Sequence, residues 1–289
     1  MLHRNLLGAL VVTVLAIASA PTRAFDDAKY PNLKGQWNRF IVPGLPGQPS
    51  FDQTKSWGFG QDAPLTDEYK AVLEASMADQ ARGGQGNFTG SNCFAYGMPM
   101  MMAAFYPQEY VITPETTYVL VNNADHGRRI FTDGRDWPKD LQDMEPTYQG
   151  YSIGKWIDED GSGRFSLLEV ETRGPFKGPR SYDGTGLPLH HDNQSIFKER
   201  IHLDRADPNL LHDEITVIDH ALTRPWTVDK RYRRNPNPQP TWLEYFCAEN
   251  NAQVQVGHET YMISADGYLM PTRSDQPPPD PRYFKRPQK

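Results

Sequence analysis

The sequence predicts a mainly β protein, either an antiparallel, lipocalin-like β-barrel or a two-sheet sandwich, with one N-terminal helix. From residue 106 onward, short runs rich in β-branched and aromatic residues alternate with turns such as Pro114-Glu115 and Asp133-Gly134. No helical stretch separates these runs, so the crossovers that a parallel sheet needs are missing. Strands joined by short turns pair antiparallel, and they close into a barrel or form two packed sheets.

The elements follow in order along the chain. A first strand is predicted from Leu33 to Val42, and a helix over residues 65–82, which Thr66 caps and Gly83 ends. The later strands are predicted at Glu109–Thr113, Thr117–Asn122, Arg128–Thr132, Tyr151–Ile157, Ser166–Thr172, Ser195–Arg205, Leu211–Asp219, Trp226–Arg233, Trp242–Cys247, Val254–Val256 and Tyr261–Ser264. We expect a single domain over residues 25–273 and a disordered, proline-rich tail over residues 274–289.

The first residues are typical of a signal peptide over residues 1–24. Arg4 precedes an apolar run from residue 6 to residue 20, and small residues at Thr22 and Ala24 favour cleavage after Ala24. The run is shorter than the roughly 20 residues that span a bilayer, although an uncleaved anchor is the alternative. We therefore expect a periplasmic or secreted bacterial protein that has no stable membrane span after cleavage.

Composition excludes several classes of function. The 289 residues carry a net charge of −6 and no long basic run, which argues against nucleic-acid binding. No glycine-rich phosphate loop or βαβ unit is present, so we expect no organic cofactor. Cys93 and Cys247 lie in the exported part and predict a disulfide, worth about 4–5 kcal/mol in the chain-entropy model. Two unrelated buried thiols are the alternative.

An acidic stretch from Asp158 to Glu169 matches the template of a calcium-binding loop. Oxygen-bearing side chains occupy the ligand positions, including Asp158, Asp160, Ser162 and Glu169, and Gly161 and Gly163 allow sharp turns. Its flanks are typical of strands, so the loop is predicted at the tip of a hairpin, where Glu169 is distant from the other ligands. A polar turn without metal is the alternative. Melting the protein with and without a chelator distinguishes the two.

Glu199 is the strongest candidate for a general acid or base. Alternation along its strand places Glu199 on the same face as Ile201, and that face is apolar except for Glu199. A carboxylate there is costly unless it is paired or reached by water. The alternative is a structural ion pair with an arginine such as Arg129 or Arg173.

Histidines in two predicted loops complete the candidate catalytic set. His126 lies beside Asp125, an arrangement suited to an oriented acid or base, and Arg129 is a candidate partner for an anion. His190 and His191 precede the strand that carries Glu199. A turn residue bonded to backbone is the alternative interpretation of His126. Inward aromatic residues suit an apolar ligand, and the candidates are Trp37, Tyr106, Tyr148, Trp156 and Trp226.

Several segments resemble a widespread, largely uncharacterised family of exported bacterial β-rich proteins of the lipocalin or calycin type. They are Gly97-Met98-Pro99, Pro146-Thr147-Tyr148, Ser152-Ile153-Gly154-Lys155-Trp156, Leu168-Glu169-Val170-Glu171-Thr172, Glu199-Arg200, Thr223-Arg224-Pro225-Trp226-Thr227 and Glu244-Tyr245-Phe246-Cys247-Ala248-Glu249-Asn250. The stretch from His126 to Ile130 is also similar, and Gly35-Gln36-Trp37 is similar to the lipocalin Gly-x-Trp signature. The resemblance implies a short hairpin tip where this chain has its acidic loop.

Three functions are compatible with these observations. The first is a periplasmic β-barrel enzyme that performs non-redox chemistry of the lyase, isomerase, hydratase or hydrolase type on a small, largely apolar molecule. The second is a lipocalin-like protein that binds a small hydrophobic ligand without catalysis. The third is a calcium-stabilised surface or envelope protein. An enzyme requires that Glu199 and a histidine meet in one pocket, whereas a Glu199 capped by arginine without a cavity weakens that hypothesis.

Overall fold

Nine strands close into a barrel in the computed structural model of the protein. The structure describes residues 25–45, 50–88, 93–103, 106–122, 127–178, 180–188, 192–243, 253–257, 259–264 and 267–277. The barrel strands are β1 (Gln36–Arg39), β2 (Gln108–Ile112), β3 (Thr116–Val121), β4 (Arg128–Phe131), β5 (Tyr151–Ile157), β6 (Leu167–Arg173), β7 (Ile196–Leu203), β8 (Leu210–Ile218) and β9 (Trp226–Arg234). The mainly β barrel prediction is confirmed, and the sandwich alternative is wrong.

Each strand pairs with its neighbours in sequence, and β9 pairs with β1 to close the ring. Eight of these contacts are antiparallel, but β4 and β5 are parallel, with Ile130 opposite Ser152. The prediction of an entirely antiparallel barrel is therefore wrong at this pair. The chain returns from the end of β4 to the start of β5 through residues 132–150, which include a short 3-10 helix at Leu141–Asp143.

Alternation along the strands decides which side chains fill the barrel. On β8, Leu211, Asp213, Ile215 and Val217 are all buried, and the residues between them are only partly buried. The same period of two on β7 turns Glu199 into the interior between apolar neighbours. The barrel interior is thus mostly aliphatic and aromatic, with a small number of charged side chains at its centre.

Two helices and a second sheet surround the barrel. Helix α1 (Asp67–Ala81) begins where Thr66 accepts a hydrogen bond from the Tyr69 amide at 3.4 Å. Helix α2 (Met100–Ala103) is a buried turn. The second sheet contains β10 (Gln253–Val256), β11 (Glu259–Ile263) and β12 (Leu269–Pro271) in that order. The predicted strand at Trp242–Cys247 lies mostly outside the described residues.

Ion pairs join the second sheet to α1. Arg273 contacts Asp79 at 3.7 Å, and Arg82 contacts Asp275 at 3.1 Å. Gln276 is 8% exposed and donates to the Thr260 carbonyl at 2.7 Å, so residues 274–277 of the predicted tail contact the body of the protein. None of the helices in the described ranges is long and apolar enough to cross a membrane.

Candidate functional site

A cavity of about 760 Å³ lies at one end of the barrel. The segment before β1 forms one wall with Tyr30 and Leu33, and β2 forms another with Tyr110 and Ile112. The remaining wall comes from the hairpin between β5 and β6, through Arg164 and Phe165. A cavity of this size with mostly apolar walls suits a small organic molecule. We call it the mouth cavity.

The segment before β1 is held in place by aromatic packing and by a hydrogen bond. The ring of Tyr30 meets Trp156 edge-on at 5.3 Å and lies 5.1 Å from Phe165, measured between centroids. The Trp37 indole donates to the Leu33 carbonyl at 2.9 Å, which fixes the segment against β1. Packing of three aromatic rings in one cluster stabilises this wall of the mouth cavity.

The acidic loop forms part of the same wall. The Phe165 amide donates to the Lys29 carbonyl at 2.7 Å, which joins the loop to the segment before β1. The carboxylate of Asp158 accepts hydrogen bonds from the amides of Ser162 at 3.1 Å and Gly163 at 2.8 Å. These bonds fold the hairpin tip in the way that an acidic side chain caps a turn.

Glu169, the last predicted metal ligand, lies on the outer face of β6 and pairs with Arg200 at 2.8 Å. Asp160 accepts from the Ser162 amide at 3.1 Å, and its pKa is lowered by hydrogen bonding to Ser162. Among the residues that the structure describes, no three His, Cys, Asp or Glu side chains form a group that could hold a metal ion. Calcium binding at this loop stays a prediction.

An ion pair between Arg128 and Glu199 lies at the centre of the barrel. Both side chains are fully buried, and the guanidinium donates to Glu199 Oε1 at 2.7 Å and also contacts Oε2. Arg128 donates further to the Thr172 hydroxyl at 2.8 Å and to Ser152 at 3.4 Å. These partners satisfy the guanidinium, as a buried charge requires.

The ion-pair alternative named Arg129 and Arg173 as examples of a partner for Glu199. The partner is instead Arg128. Arg129 is exposed on the outer face of β4, and Arg173 pairs with Glu171. Arg128 points inward because it shares its face with the buried Ile130. Glu199 does not line the mouth cavity, so it is not a free acid or base beside it.

Asp213 is a second carboxyl group in the interior. The residue is completely buried, and neither carboxyl oxygen has a hydrogen-bond partner within the described part of the chain. Burial, followed by the nearby negative charge of Glu199, raises the pKa of Asp213 well above its usual value. Asp213 is therefore a neutral carboxylic acid over a pH range in which an exposed aspartate is ionised.

Two tyrosines complete this centre. Tyr110 and Tyr232 are buried, and in both cases burial, followed by the charge of Asp213, raises the pKa of the hydroxyl well above its usual value. The Tyr110 hydroxyl accepts from Gln108 Nε2 at 3.2 Å, and the Tyr232 hydroxyl donates to the Met102 carbonyl. We call Arg128, Glu199, Asp213, Tyr110 and Tyr232 the barrel-centre cluster.

Lys230 lies opposite Asp213 on β9 but reaches in another direction. Its ammonium group is buried and donates to the Ser50 carbonyl at 2.8 Å, and burial lowers its pKa to about 7. The lysine thus helps to hold the segment around Phe51, whose ring packs against Trp226 at 4.9 Å. This contact covers the end of the barrel at which β9 begins.

The predicted loop residues cannot be placed beside Glu199. Asp125, His126, His190 and His191 lie outside the described residues, and so does Cys247. Their roles, and the Cys93–Cys247 disulfide, stay predictions.

The predicted ligand-binding aromatic residues do not form one site. Trp37 and Trp156 contact residues of the cavity wall: Trp37 donates a hydrogen bond to the Leu33 carbonyl, and Trp156 packs against Tyr30. Trp226 lies near the other barrel end, and Tyr148 borders a separate cavity of about 10 Å³ beside Met98. Tyr106 is only partly buried and does not line the mouth cavity.

Sequence reasoning missed several residues of the mouth cavity and the centre. Arg128 was detectable, because alternation with Ile130 assigns it to the interior. Asp213 was detectable in the same way, since it alternates with Leu211 and Ile215. Tyr30 and Phe165 carry no local signal, because their position depends on contacts between segments that are distant in sequence.

No protein-family model matches the chain, and no curated protein matches it.

Proposed function

We propose that this protein is a lipocalin-like binding protein that takes up a small, largely apolar molecule in the mouth cavity. The observation that carries the proposal is the cavity of about 760 Å³ at the end of a closed barrel, with walls from Tyr30, Leu33, Ile112 and Phe165. Barrel mouths are preferred positions for small-molecule sites, and 300–1,000 Å³ is the usual volume range. Each apolar group of a ligand that enters such a cavity stabilises the complex in proportion to the apolar area that it removes from water.

The state of Glu199 favours binding without catalysis at that residue. Each carboxylate oxygen accepts a hydrogen bond from Arg128, and Glu199 is not among the residues that line the cavity. A general acid or base has to come within hydrogen-bond reach of the reacting group. Binding requires only the cavity and its apolar walls.

We predict that the substitution Ala28→Trp abolishes tight binding of the neutral fluorescent probe N-phenyl-1-naphthylamine. Ala28 is exposed at the rim and lines the cavity, so an indole there occupies ligand space without removing a core side chain. The dissociation constant should rise at least tenfold, or about 1.4 kcal/mol. A fluorescence titration of wild type and variant measures it.

Ala71→Trp is the matched control, because Ala71 is exposed on α1 and does not line the cavity. It should bind the probe as wild type does. If wild type does not bind the probe, or if both variants bind it like wild type, the mouth cavity is not the binding site.

An enzyme of the lyase or isomerase type is the second candidate, and Asp213 is the observation that favours it. A neutral carboxylic acid held in an apolar site can donate a hydrogen bond to a carbonyl oxygen and thereby promote transfer of a proton from the neighbouring carbon to water. Such an enzyme should exchange the methyl protons of 2-acetylnaphthalene with solvent deuterium, as measured by proton NMR. Exchange at the same rate in wild type and Asp213→Leu would contradict it.

We also propose export with cleavage after Ala24 and a Cys93–Cys247 disulfide. Support comes from the apolar run behind Arg4 and from the oxidising compartment to which a signal peptide directs the chain. Mass spectrometry of the protein recovered from the periplasm should give the mass of residues 25–289 less two hydrogens. A mass that includes residues 1–24 or two free thiols would contradict the respective proposal.

A further inference from the structure

The charges on the wall of the mouth cavity do not balance. Among the lining residues that the structure describes, Asp27 has the only carboxylate, whereas Lys34 and Arg164 both carry a positive charge. Lys34 forms an ion pair with Asp27, so these two charges compensate each other. The positive charge of Arg164 is left without a counter-charge on the wall.

Arg164 has acidic neighbours in sequence, but none of them is its partner. The carboxylates of Asp158 and Asp160 accept hydrogen bonds from backbone amides of the hairpin tip. Glu159 contacts Arg200 at 3.5 Å. Within the described ranges, the Arg164 guanidinium forms neither a hydrogen bond nor an ion pair. It is therefore available to an acceptor that comes from outside the chain.

The backbone on both sides of Arg164 is fixed at the edge of the cavity. The Arg164 amide donates to the Ser162 hydroxyl at 3.3 Å, and the next amide, that of Phe165, donates to the Lys29 carbonyl at 2.7 Å. The ring of Phe165 packs against Tyr30, and both rings line the cavity. The side chain of Arg164 is exposed, so its guanidinium lies where an apolar surface meets water.

The chemistry of this rim selects the ligand. An arginine guanidinium can donate two parallel hydrogen bonds to a carboxylate, a geometry that a neutral group does not match. Because Arg164 is exposed, a carboxylate that pairs with it keeps part of its hydration, which avoids most of the cost of burying a charge. A cation without a counter-charge beside apolar walls thus suits a molecule that has an apolar body and an anionic end.

We propose that the ligand of the mouth cavity is a small apolar molecule with one carboxylate group, which pairs with Arg164 at the rim while the apolar body enters the cavity. The proposal rests on the proposed binding function and adds the class of ligand. The apolar walls supply most of the affinity, and Arg164 selects an anion over a neutral molecule of the same shape. The carboxylates of the hairpin tip position Arg164 through the turn that they fold.

The test compares 2-naphthylacetate with 2-naphthylacetamide, which have nearly the same shape and differ in charge. Each competes with N-phenyl-1-naphthylamine for wild type, Arg164→Gln, Arg164→Glu and the control Arg205→Gln, which alters an exposed arginine that does not line the cavity. Near neutral pH and at low salt, the anion should bind wild type and the control about fivefold more tightly than the amide, the upper range for an ion pair at an exposed side chain. The ratio should fall to about one in Arg164→Gln and reverse in Arg164→Glu, because the anion loses affinity.

The outcomes separate this inference from the binding function. The protein carries a net charge of −6, so a preference for the anion has to come from a local cation. If the probe binds wild type but anion and amide compete equally well, or if the preference persists in Arg164→Gln, the carboxylate inference is overturned and the binding function stands. A preference that is lost equally in Arg205→Gln also overturns it, since Arg164 is then not the specific partner. If the probe does not bind wild type, the binding function itself fails. Far-ultraviolet circular dichroism verifies that each variant is folded.

Discussion

Replacement of Arg128 by methionine should lower the free energy of unfolding by about 3–5 kcal/mol. The substitution leaves the Glu199 carboxylate fully buried without its cation and removes the hydrogen bond to Thr172. Taking one partner from a buried ion pair is costly because the remaining charge is cut off from water. Urea unfolding, followed by tryptophan fluorescence, measures the loss. The urea concentration at the unfolding midpoint should fall while the dependence of the unfolding free energy on urea stays the same.

Two controls belong to this measurement. Arg129→Met alters the neighbouring arginine on the outer face and should change stability by no more than about 0.5 kcal/mol. The double substitution Arg128→Met with Glu199→Leu removes the whole pair and should recover most of the stability, since Ser152 and Thr172 still bond to each other at 2.8 Å. Equal losses in Arg128→Met and Arg129→Met would contradict the central position of Arg128.

Asp213 should make the protein less stable as the pH rises from 4 to 6. Its pKa in the folded state is raised by burial and by Glu199, so the folded protein keeps the proton that the unfolded chain releases above its ordinary pKa. Stability falls with pH wherever the folded state binds more protons, by up to about 1.4 kcal/mol per pH unit for one group. Asp213→Asn cannot titrate, so its stability relative to wild type should increase over this window.

The window from pH 4 to pH 6 lies below the range in which the buried Lys230 titrates. Burial lowers the pKa of Lys230 to about 7, so this lysine stays protonated in both states below pH 6. Asp140→Asn, which alters an exposed aspartate, should follow the wild-type pH profile. If Asp213→Asn has the same pH slope as wild type in urea unfolding, the Asp213 carboxyl does not hold its proton in the folded state.

Strand positions and their inward faces could be predicted from the sequence, because alternation is a local signal. The bounds of β5 agree with the prediction, and the parity that placed Glu199 inside holds on both β7 and β8. Arg129 was the wrong partner for Glu199 for a similarly local reason. A shift of one residue reverses the face of every side chain, and only the position of Ile130 fixes the parity of β4.

The parallel contact between β4 and β5 could have been inferred from a count of strands. In a closed ring with strands that alternate in direction, an odd number of strands leaves one pair that points the same way. Nine strands close this barrel, so one parallel pair is unavoidable. No local pattern indicates which strands close the ring, because closure of β9 onto β1 joins segments about 195 residues apart.

The hydrogen bond between the Phe165 amide and the Lys29 carbonyl has a consequence for how the protein is prepared for experiments. The segment from Phe25 to Leu33 follows directly on the expected cleavage site, and it forms one wall of the mouth cavity. A purification tag fused immediately before Phe25 would therefore lie close to the mouth cavity, where the proposed ligand would enter. Ligand screens should use protein with its natural residue 25 at the terminus, and a removable tag is better placed at the other end of the chain.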